Sequence, residues 1–337
     1  MMLQAISQGV SERPNEDAFV AYQRDDGQPR YVLAAIDGAT SVANFAPLQH
    51  YLTTQRNNIT PASFAATVTR DAILAMLGQG HNDDIDPREL ILRANDALRQ
   101  LLDEVAPGIF DVEQIKQIQP TSQELLNDPR KFRLFLPAAV LTVVTIDTDV
   151  GLLRYAHAGD TALLICYDDG HVEVPTRHKQ PLMDYESALA LASQTALKRQ
   201  TSMKDALDDP FIRALDRDHR IYHNYVDEQG KTVPERGVGV VNGLPELEDY
   251  IKSGIAMIQD AEAVMVISDG FWWPATLHET EQDYDKRVRQ MWQRIRQDGL
   301  LEYIAALRQA ERTDSAHEQY PRFKLHDDAT AVILWLS

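Results

Sequence analysis

The chain has 337 residues, of which 44% are hydrophobic and 25% are charged, a composition typical of a globular protein with a buried core. Its 51 acidic and 33 basic residues give a formal net charge of −18, which disfavours binding to nucleic acid. Cys166 is the only cysteine, which excludes internal disulfides and cysteine-based zinc sites and favours a cytoplasmic protein. No apolar segment is long enough to span a bilayer, and the N-terminus does not resemble a secretory signal.

Short apolar segments rich in Val, Ile, Leu and Thr predict buried strands. They lie at 32–36, 138–146, 152–158, 162–167, 263–267 and 330–336. Short turns separate the middle three, at Asp149 to Gly151 and at Gly159-Asp160. We therefore expect these three strands to form an antiparallel meander.

Amphipathic patterns between the strands predict helices that pack outside antiparallel sheets. They cover 65–76, 90–105, 288–295 and 300–307, and Asp86-Pro87 suits the start of the second. The stretch 171–262 is polar and contains Arg217-Asp218-His219-Arg220. We interpret it as an insertion or flap on a single domain that spans residues 1–337.

Several predicted strands end in an acidic residue beside a glycine, which lets other groups approach the backbone. These pairs are Asp37-Gly38, Gly159-Asp160 and Asp269-Gly270, and further acids stand at Glu16-Asp17 and Asp327-Asp328. A single Asp-Gly is usually a turn. Carboxylates gathered at one end of a sheet, however, stay ionised together only when cations compensate them. Oxygen ligands without cysteine or a histidine pair favour Mg²⁺ or Mn²⁺ over zinc.

Five short motifs follow one another along the chain. They are Arg13-Pro14-Asn15-Glu16-Asp17, Ala35-Ile36-Asp37-Gly38, Ala158-Gly159-Asp160-Thr161, Ile267-Ser268-Asp269-Gly270 and Asp327-Asp328-Ala329-Thr330. In this order they resemble the motifs of protein phosphatase 2C enzymes of the bacterial type. The resemblance implies an α+β fold, a four-layer α-β-β-α sandwich of two antiparallel sheets flanked by helices. It also implies metal-dependent hydrolysis of phosphoserine or phosphothreonine in proteins.

The resemblance further implies two Mn²⁺ or Mg²⁺ ions per chain, with an optional third. Asp37 would bridge the two ions, and Gly38 would offer its carbonyl. Glu16 would reach one ion, with Asp17 ordering the water around it. Two cations held in this way can activate a water molecule for attack on phosphorus.

Residues nearer the C-terminus complete the implied site. Asp269 and Asp327 would hold the other ion, and Asp160 would form the optional third site with Asp269. Arg13 would clamp the substrate phosphate with its planar fork. Asp328 stands where the family usually has asparagine, and we expect it to support the ligands rather than bind metal.

Other classes of protein make different demands on these positions. A phosphatase of the haloacid dehalogenase type needs a second Asp two residues after its nucleophile, but Ala39 and Phe271 occupy those positions. A pseudophosphatase, which keeps the fold as a regulatory binding protein, remains an alternative. Ala39 also stands where many eukaryotic members of the family have a histidine, a proposed general acid. Trp272-Trp273 is expected to be local core, with a substrate-side wall as the alternative.

The expected partners follow from the implied activity. They are a phosphorylated protein substrate and a cognate Ser/Thr kinase, with no nucleic acid and no membrane. A small phosphoester remains an alternative substrate.

Overall fold

The computed structural model describes residues 1–10, 13–24, 30–39, 43–79, 86–177 and 183–336, and at 183–186 and 217–219 it describes the backbone alone. The strands of this part are β1 (Met2–Gln8), β2 (Ala18–Gln23), β3 (Arg30–Ala39), β4 (Ala138–Asp147), β5 (Leu152–Ala158), β6 (Ala162–Tyr167), β7 (Val172–Glu173), β8 (Lys252–Met257), β9 (Ala261–Ile267) and β10 (Ala329–Trp335). The helices are α1 (Ala46–Gln55), α2 (Pro61–Gly78), α3 (Pro87–Val105), α4 (Val112–Ile118), α5 (Met183–Arg199), α6 (Met203–Leu207), α7 (Pro210–Asp218), α8 (Glu281–Asp298) and α9 (Leu300–Thr313).

The strands form two antiparallel five-stranded sheets. The first has the order β1-β10-β9-β6-β7 and the second the order β2-β3-β4-β5-β8. Side chains such as Leu33, Val144 and Val266 form the apolar layer between the sheets. Helices α1 to α4 cover the outer face of the second sheet, and α8 and α9 cover that of the first. The four-layer α-β-β-α sandwich is thereby confirmed.

All six strands predicted from apolar segments are present, but the strands at sheet edges were missed. β1 is largely exposed, and β8 has exposed or half-buried residues throughout. Edge strands bury too little surface to need an apolar sequence, so these two carry no such signal. β8 also lies inside 171–262, which means that this stretch contributes a strand to the main sheet. The single-domain organisation stays a prediction.

The expected meander is wrong at its third strand. β4 and β5 pair antiparallel as predicted, but β6 leaves for the other sheet, where it pairs with β7 and β9. Gly159 makes the crossing with a φ of +102°, and a Cβ atom there would lie 2.2 Å from the side chain of Val140. The Gly159-Asp160 pair therefore joins the two sheets and does not close a hairpin.

Helices were predicted correctly where the amphipathic pattern extends over several turns. The side chain of Asp86 caps α3 by accepting from the Arg88 amide at 2.9 Å, with Pro87 as the first helical residue. α8 buries Val288 and Trp292 as the pattern predicts. None of the described helices combines the length and apolar character needed to cross a bilayer.

Candidate functional site

A cleft of about 600 Å³ lies where strands of both sheets end. β9 runs antiparallel to β10, so the residue after β9 and the residues before β10 meet at the same edge. These residues are Asp269 and Asp327, and both line the cleft with Asp37 from β3 and Asp160 from the crossing loop. The structure thus gathers four of the predicted ligands around one cavity.

Asp37 and Asp269 come from different sheets, and both side chains line the same cleft, where each influences the pKa of the other. Burial raises the pKa of Asp37 well above its ordinary value, and the negative charges of Asp269 and Asp17 raise it further. Asp269 is open to the cleft but surrounded by protein, and this desolvation, with the charges of Asp327 and Asp160, raises its pKa to about 7. The like charges therefore crowd each other strongly enough to favour proton or cation binding.

Asp17 lies behind this pair, against the ends of β9 and β10. Ser268 donates its hydroxyl to Oδ2 of Asp17 at 2.7 Å, and Ser268 in turn accepts from the amide of Thr330 at 2.9 Å. Oδ1 of Asp17 is buried without a hydrogen-bond partner among the described residues. Burial raises the pKa of Asp17 to about 8. A buried acceptor oxygen without a donor fits a bound cation or its water.

Arg13 joins the N-terminal and C-terminal motifs. Its guanidinium hydrogen-bonds to the buried Glu16 and to Asp327, the latter at 3.0 Å, and lies 3.6 Å from Asp328. The predicted phosphate clamp is thus paired with carboxylates that were predicted to bind metal. To contact phosphate, Arg13 has to leave these partners.

Lys324 belongs to the site although no role was expected for it. Its ammonium group lies 2.8 and 3.0 Å from the two carboxylate oxygens of Asp327. Asp327 is also fixed through its backbone, because its carbonyl accepts from Arg308 of α9 at 2.5 Å. The signal in the sequence was a lysine three residues before a candidate ligand, a spacing that by itself has many structural explanations.

Asp328 holds the N-terminal motif in place. Its side chain is only 2% exposed. Oδ1 accepts from the amide of Val10 and Oδ2 from the amide of Glu16, each at 2.8 Å. A carboxylate can accept one hydrogen bond on each of its two oxygens. The side chain of an asparagine has only one acceptor oxygen, so it could not offer a separate oxygen to each amide. The aspartate therefore attaches the segment that carries Glu16 to the start of β10.

Gly38 is required by the close approach of three segments. Its amide donates to the carbonyl of Glu16 at 3.1 Å. A Cβ atom at this position would lie 2.6 Å from the carbonyl oxygens of Glu16 and Ala62. The glycine thus allows the N-terminal motif to pack directly beside Asp37.

A fully assembled metal cage is not present in the described part of the chain. No three or more Asp, Glu, His or Cys side chains there converge as they would around a bound metal ion. Arg13 and Lys324 pair with Glu16 and Asp327 instead. The donor set still fits a hard divalent cation, because it consists of crowded carboxylates and the unpaired oxygen of Asp17.

Aromatic residues form one side of the cleft. Trp272 and Trp273 are half-buried and pack against the core of the first sheet. Their rings lie 6.0 Å from Tyr284 and 6.3 Å from Tyr303, respectively. Both tryptophans also line the cleft. The pair therefore packs against the local core as expected and also lines the cleft, while its role as a substrate-side wall stays a prediction.

No protein-family model matches this sequence, and neither does any curated protein. Solved structures do match in their three-dimensional arrangement. Serine/threonine phosphatase Stp1 from Staphylococcus aureus is 12% identical with a TM-score of 0.48, covering 99% of this chain and 94% of that one. The SiaA-PP2C domain of Pseudomonas aeruginosa is 12% identical with a TM-score of 0.47, covering 99% and 85%.

A third similar structure is the catalytic domain of serine/threonine protein phosphatase PstP in complex with two manganese ions. It is 13% identical with a TM-score of 0.46 and covers 98% of this chain and 96% of that one. The three structures are thus two serine/threonine phosphatases and one PP2C domain. The likeness to them concerns the arrangement of the chain.

Proposed function

We propose that this protein is a metal-dependent phosphatase that hydrolyses phosphoserine or phosphothreonine in proteins. The observation that carries the proposal is the meeting of Asp37 and Asp269 in one cleft, where burial and the charge of Asp269 raise the pKa of Asp37 well above its ordinary value. Such crowding is destabilising unless cations bind. The order of the five motifs and the all-oxygen donor set support the same conclusion.

The first half of the proposed metal site comes from the second sheet and the N-terminal motif. Asp37 would bridge two Mn²⁺ or Mg²⁺ ions, and the Gly38 carbonyl would lie beside it. Glu16 would bind one ion once Arg13 has released it. Asp17 would orient water through its unpaired Oδ1, while Ser268 holds its other oxygen.

The second half comes from the first sheet. Asp269 and Asp327 would hold the other ion, and Asp160, which lines the same cleft, would share an optional third with Asp269. Divalent cations in such a pair supply a nucleophilic water at neutral pH and neutralise charge on the phosphate. Every other requirement falls on the protein, which must hold the substrate in line and provide contacts to the phosphate oxygens.

The cleft suits a phosphorylated side chain and its neighbours rather than a large cofactor. Trp272 and Trp273 would form an apolar wall for the substrate. Arg13, released from Glu16 and Asp327, would bind phosphate oxygens. Since Ala39 follows Gly38, we expect water to protonate the leaving group. A cognate Ser/Thr kinase would supply the phosphoprotein, and the single buried Cys166 favours work in the reducing cytoplasm.

The proposal is tested by a phosphatase assay on phosphoserine and phosphothreonine peptides and on an aryl phosphate. We expect hydrolysis with Mn²⁺ or Mg²⁺, its loss in excess EDTA, and resistance to thiol reagents because Cys166 is buried. Activity that continues undiminished in EDTA would disprove the metal-dependent mechanism.

One observation favours the alternative of a pseudophosphatase. Arg13 and Lys324 already pair with two of the predicted ligands, and this arrangement compensates charge without a metal. A folded protein that neither binds Mn²⁺ nor hydrolyses any of the three substrates would support this alternative, a binding protein with a phosphatase fold.

A further inference from the structure

Among the described residues, five arginine and lysine side chains line the cleft, and four of them have their charge held by a carboxylate. The pairs are Arg177 with Asp285, Arg287 with Glu279, Arg322 with Asp314 and Lys324 with Asp327, at 3.5, 2.7, 2.9 and 2.8 Å. A cation that already has a partner is poorly placed to attract a substrate, because the existing ion pair must first break. The fifth residue, Arg220, is therefore of special interest.

Arg220 forms no ion pair with any residue that the structure describes. Its Nη1 donates to the backbone carbonyl of Asp216 at 3.2 Å. The side chain is half-buried, and burial lowers the pKa of its guanidinium, although the charges of Asp216 and Glu16 act in the opposite direction. A cation withdrawn from water without a partner is energetically costly. An anion that enters the cleft would remove this cost.

The backbone around Arg220 is firmly attached to the rest of the protein. Arg220 lies in a short 3-10 turn directly after α7. The carbonyl of Tyr222 accepts from the amide of Val238 at 3.0 Å, and the carbonyl of His223 accepts from Nε of Arg133, also at 3.0 Å. The turn is thus held from two sides, which keeps the guanidinium at the cleft without requiring a carboxylate partner.

Arg220 lines the same cleft as the proposed catalytic carboxylates Asp37 and Asp269. Arg13, the expected phosphate ligand, is engaged by Glu16 and Asp327. While Arg13 is held in this way, Arg220 is the one guanidinium of the described cleft lining that has no ion pair with a described residue.

We infer that Arg220 binds the phosphate group of the substrate and is a specificity-determining residue of this cleft. This inference rests on the proposed function, because it assigns the phosphate contact within the same site. Arg220 comes from the stretch 171–262, so the inference also gives that stretch a function, which is to supply a cation to a centre otherwise built from carboxylates. A planar guanidinium suits a tetrahedral oxyanion better than an ammonium does.

The test compares wild type with Arg220→Met, Arg220→Lys and the control Arg199→Met. Arg199 belongs to the same stretch but is exposed and pairs with Asp209 at 2.8 Å. Binding of inorganic phosphate to the Mn²⁺-saturated protein is measured by calorimetry, and KM and kcat are measured with an aryl phosphate. Melting temperatures without phosphate report on folding.

We expect Arg220→Met to weaken phosphate binding about 10- to 100-fold and to raise KM, the effect of losing one charge-assisted contact. Arg220→Lys should fall between it and wild type, and Arg199→Met should match wild type. The melting temperature of Arg220→Met should not fall, because the charge removed is half-buried and has no ion pair with the described residues. If Arg220→Met does not fold, the phosphate affinity of Arg220→Lys is compared with that of wild type. The inference requires this affinity to be reduced.

The two proposals fail in different ways. If wild type hydrolyses the aryl phosphate and Arg220→Met binds phosphate as tightly as Arg199→Met does, the inference about Arg220 is overturned while the phosphatase stands. If wild type neither binds phosphate nor hydrolyses the ester with Mn²⁺, the proposed function is overturned and the role of Arg220 with it.

Discussion

The ammonium group of Lys324 contacts both carboxylate oxygens of Asp327, at 2.8 and 3.0 Å. The lysine thus sits in the position of a counter-ion for a residue that is proposed to bind metal. Its side chain is 45% exposed, so this pair is weak enough to open in water. Competition between the ammonium and a divalent cation follows directly from this geometry.

Replacing Lys324 with methionine should therefore increase the affinity for Mn²⁺. An exposed ion pair contributes about 0.2–1 kcal/mol, which corresponds to a gain of at most about five-fold. Calorimetric titration with Mn²⁺ measures the change. The matched control is Lys116→Met, because Lys116 pairs with Glu113 at the same 2.8 Å and the same spacing on a distant helix. Equal Mn²⁺ affinity in the two variants would remove Lys324 from the site.

Asp37→Asn and Asp269→Asn should abolish activity without destabilising the metal-free protein. Each removes one of two crowded like charges, whose repulsion at an effective dielectric of ~20 is on the order of 1–4 kcal/mol. Melting curves in EDTA at pH 8 should show unchanged or raised melting temperatures, while hydrolysis falls by at least about 100-fold. An aspartate that serves only as a turn former would behave differently, because its loss would lower the melting temperature and leave the full Mn²⁺ shift intact.

The stability of the metal-free protein should decrease as the pH rises. The pKa values of Asp269 and Asp17 are raised to about 7 and about 8, whereas an aspartate in the unfolded chain titrates near 4. The folded protein therefore holds these protons more tightly, and raising the pH through this window removes that stabilisation. Melting temperatures in EDTA should fall between pH 5 and pH 8, and Asp269→Asn should show a smaller fall. A rise over the same range in wild type would contradict the assignment of these shifts.

Gly38→Ala should destabilise the protein through steric overlap. The added Cβ would lie 2.6 Å from the carbonyl oxygens of Glu16 and Ala62, and forced overpacking of this kind costs about 1–3 kcal/mol. The control is Gly78→Ala, at the end of α2, where a Cβ meets nothing within 4 Å. Urea denaturation measures both variants, and a Gly38→Ala protein as stable as Gly78→Ala would show that this close approach is not required.

The sequence predicted most of the buried strands and the acidic residues that follow them. Asp37 and Asp269 could be assigned to strand ends because the strands before them are buried and apolar, a property visible in the residues themselves. The crossing at Gly159 could not be predicted in the same way. A Gly-Asp pair indicates a sharp change of direction, but the next strand selects its sheet by long-range pairing with β9.

The ion pairs of the site could not be predicted from the sequence either. Arg13 and Asp327 are 314 residues apart in sequence, and only the folding of β1 beside β10 brings their segments together. The guanidinium of Arg220 is a further case. Its distinguishing feature is the absence of an ion pair with the described residues, and no local pattern reports on that.

The central claim is that the carboxylates around Asp37 bind divalent cations, and the most direct test is a Mn²⁺ titration of wild type and Asp37→Asn at pH 7.5. Calorimetry should give saturable binding of two ions to wild type. The variant, which lacks the bridging charge, should lose at least one of them. Absence of saturable binding in wild type, or equal stoichiometry and affinity in Asp37→Asn, would contradict the metal centre proposed for this cleft.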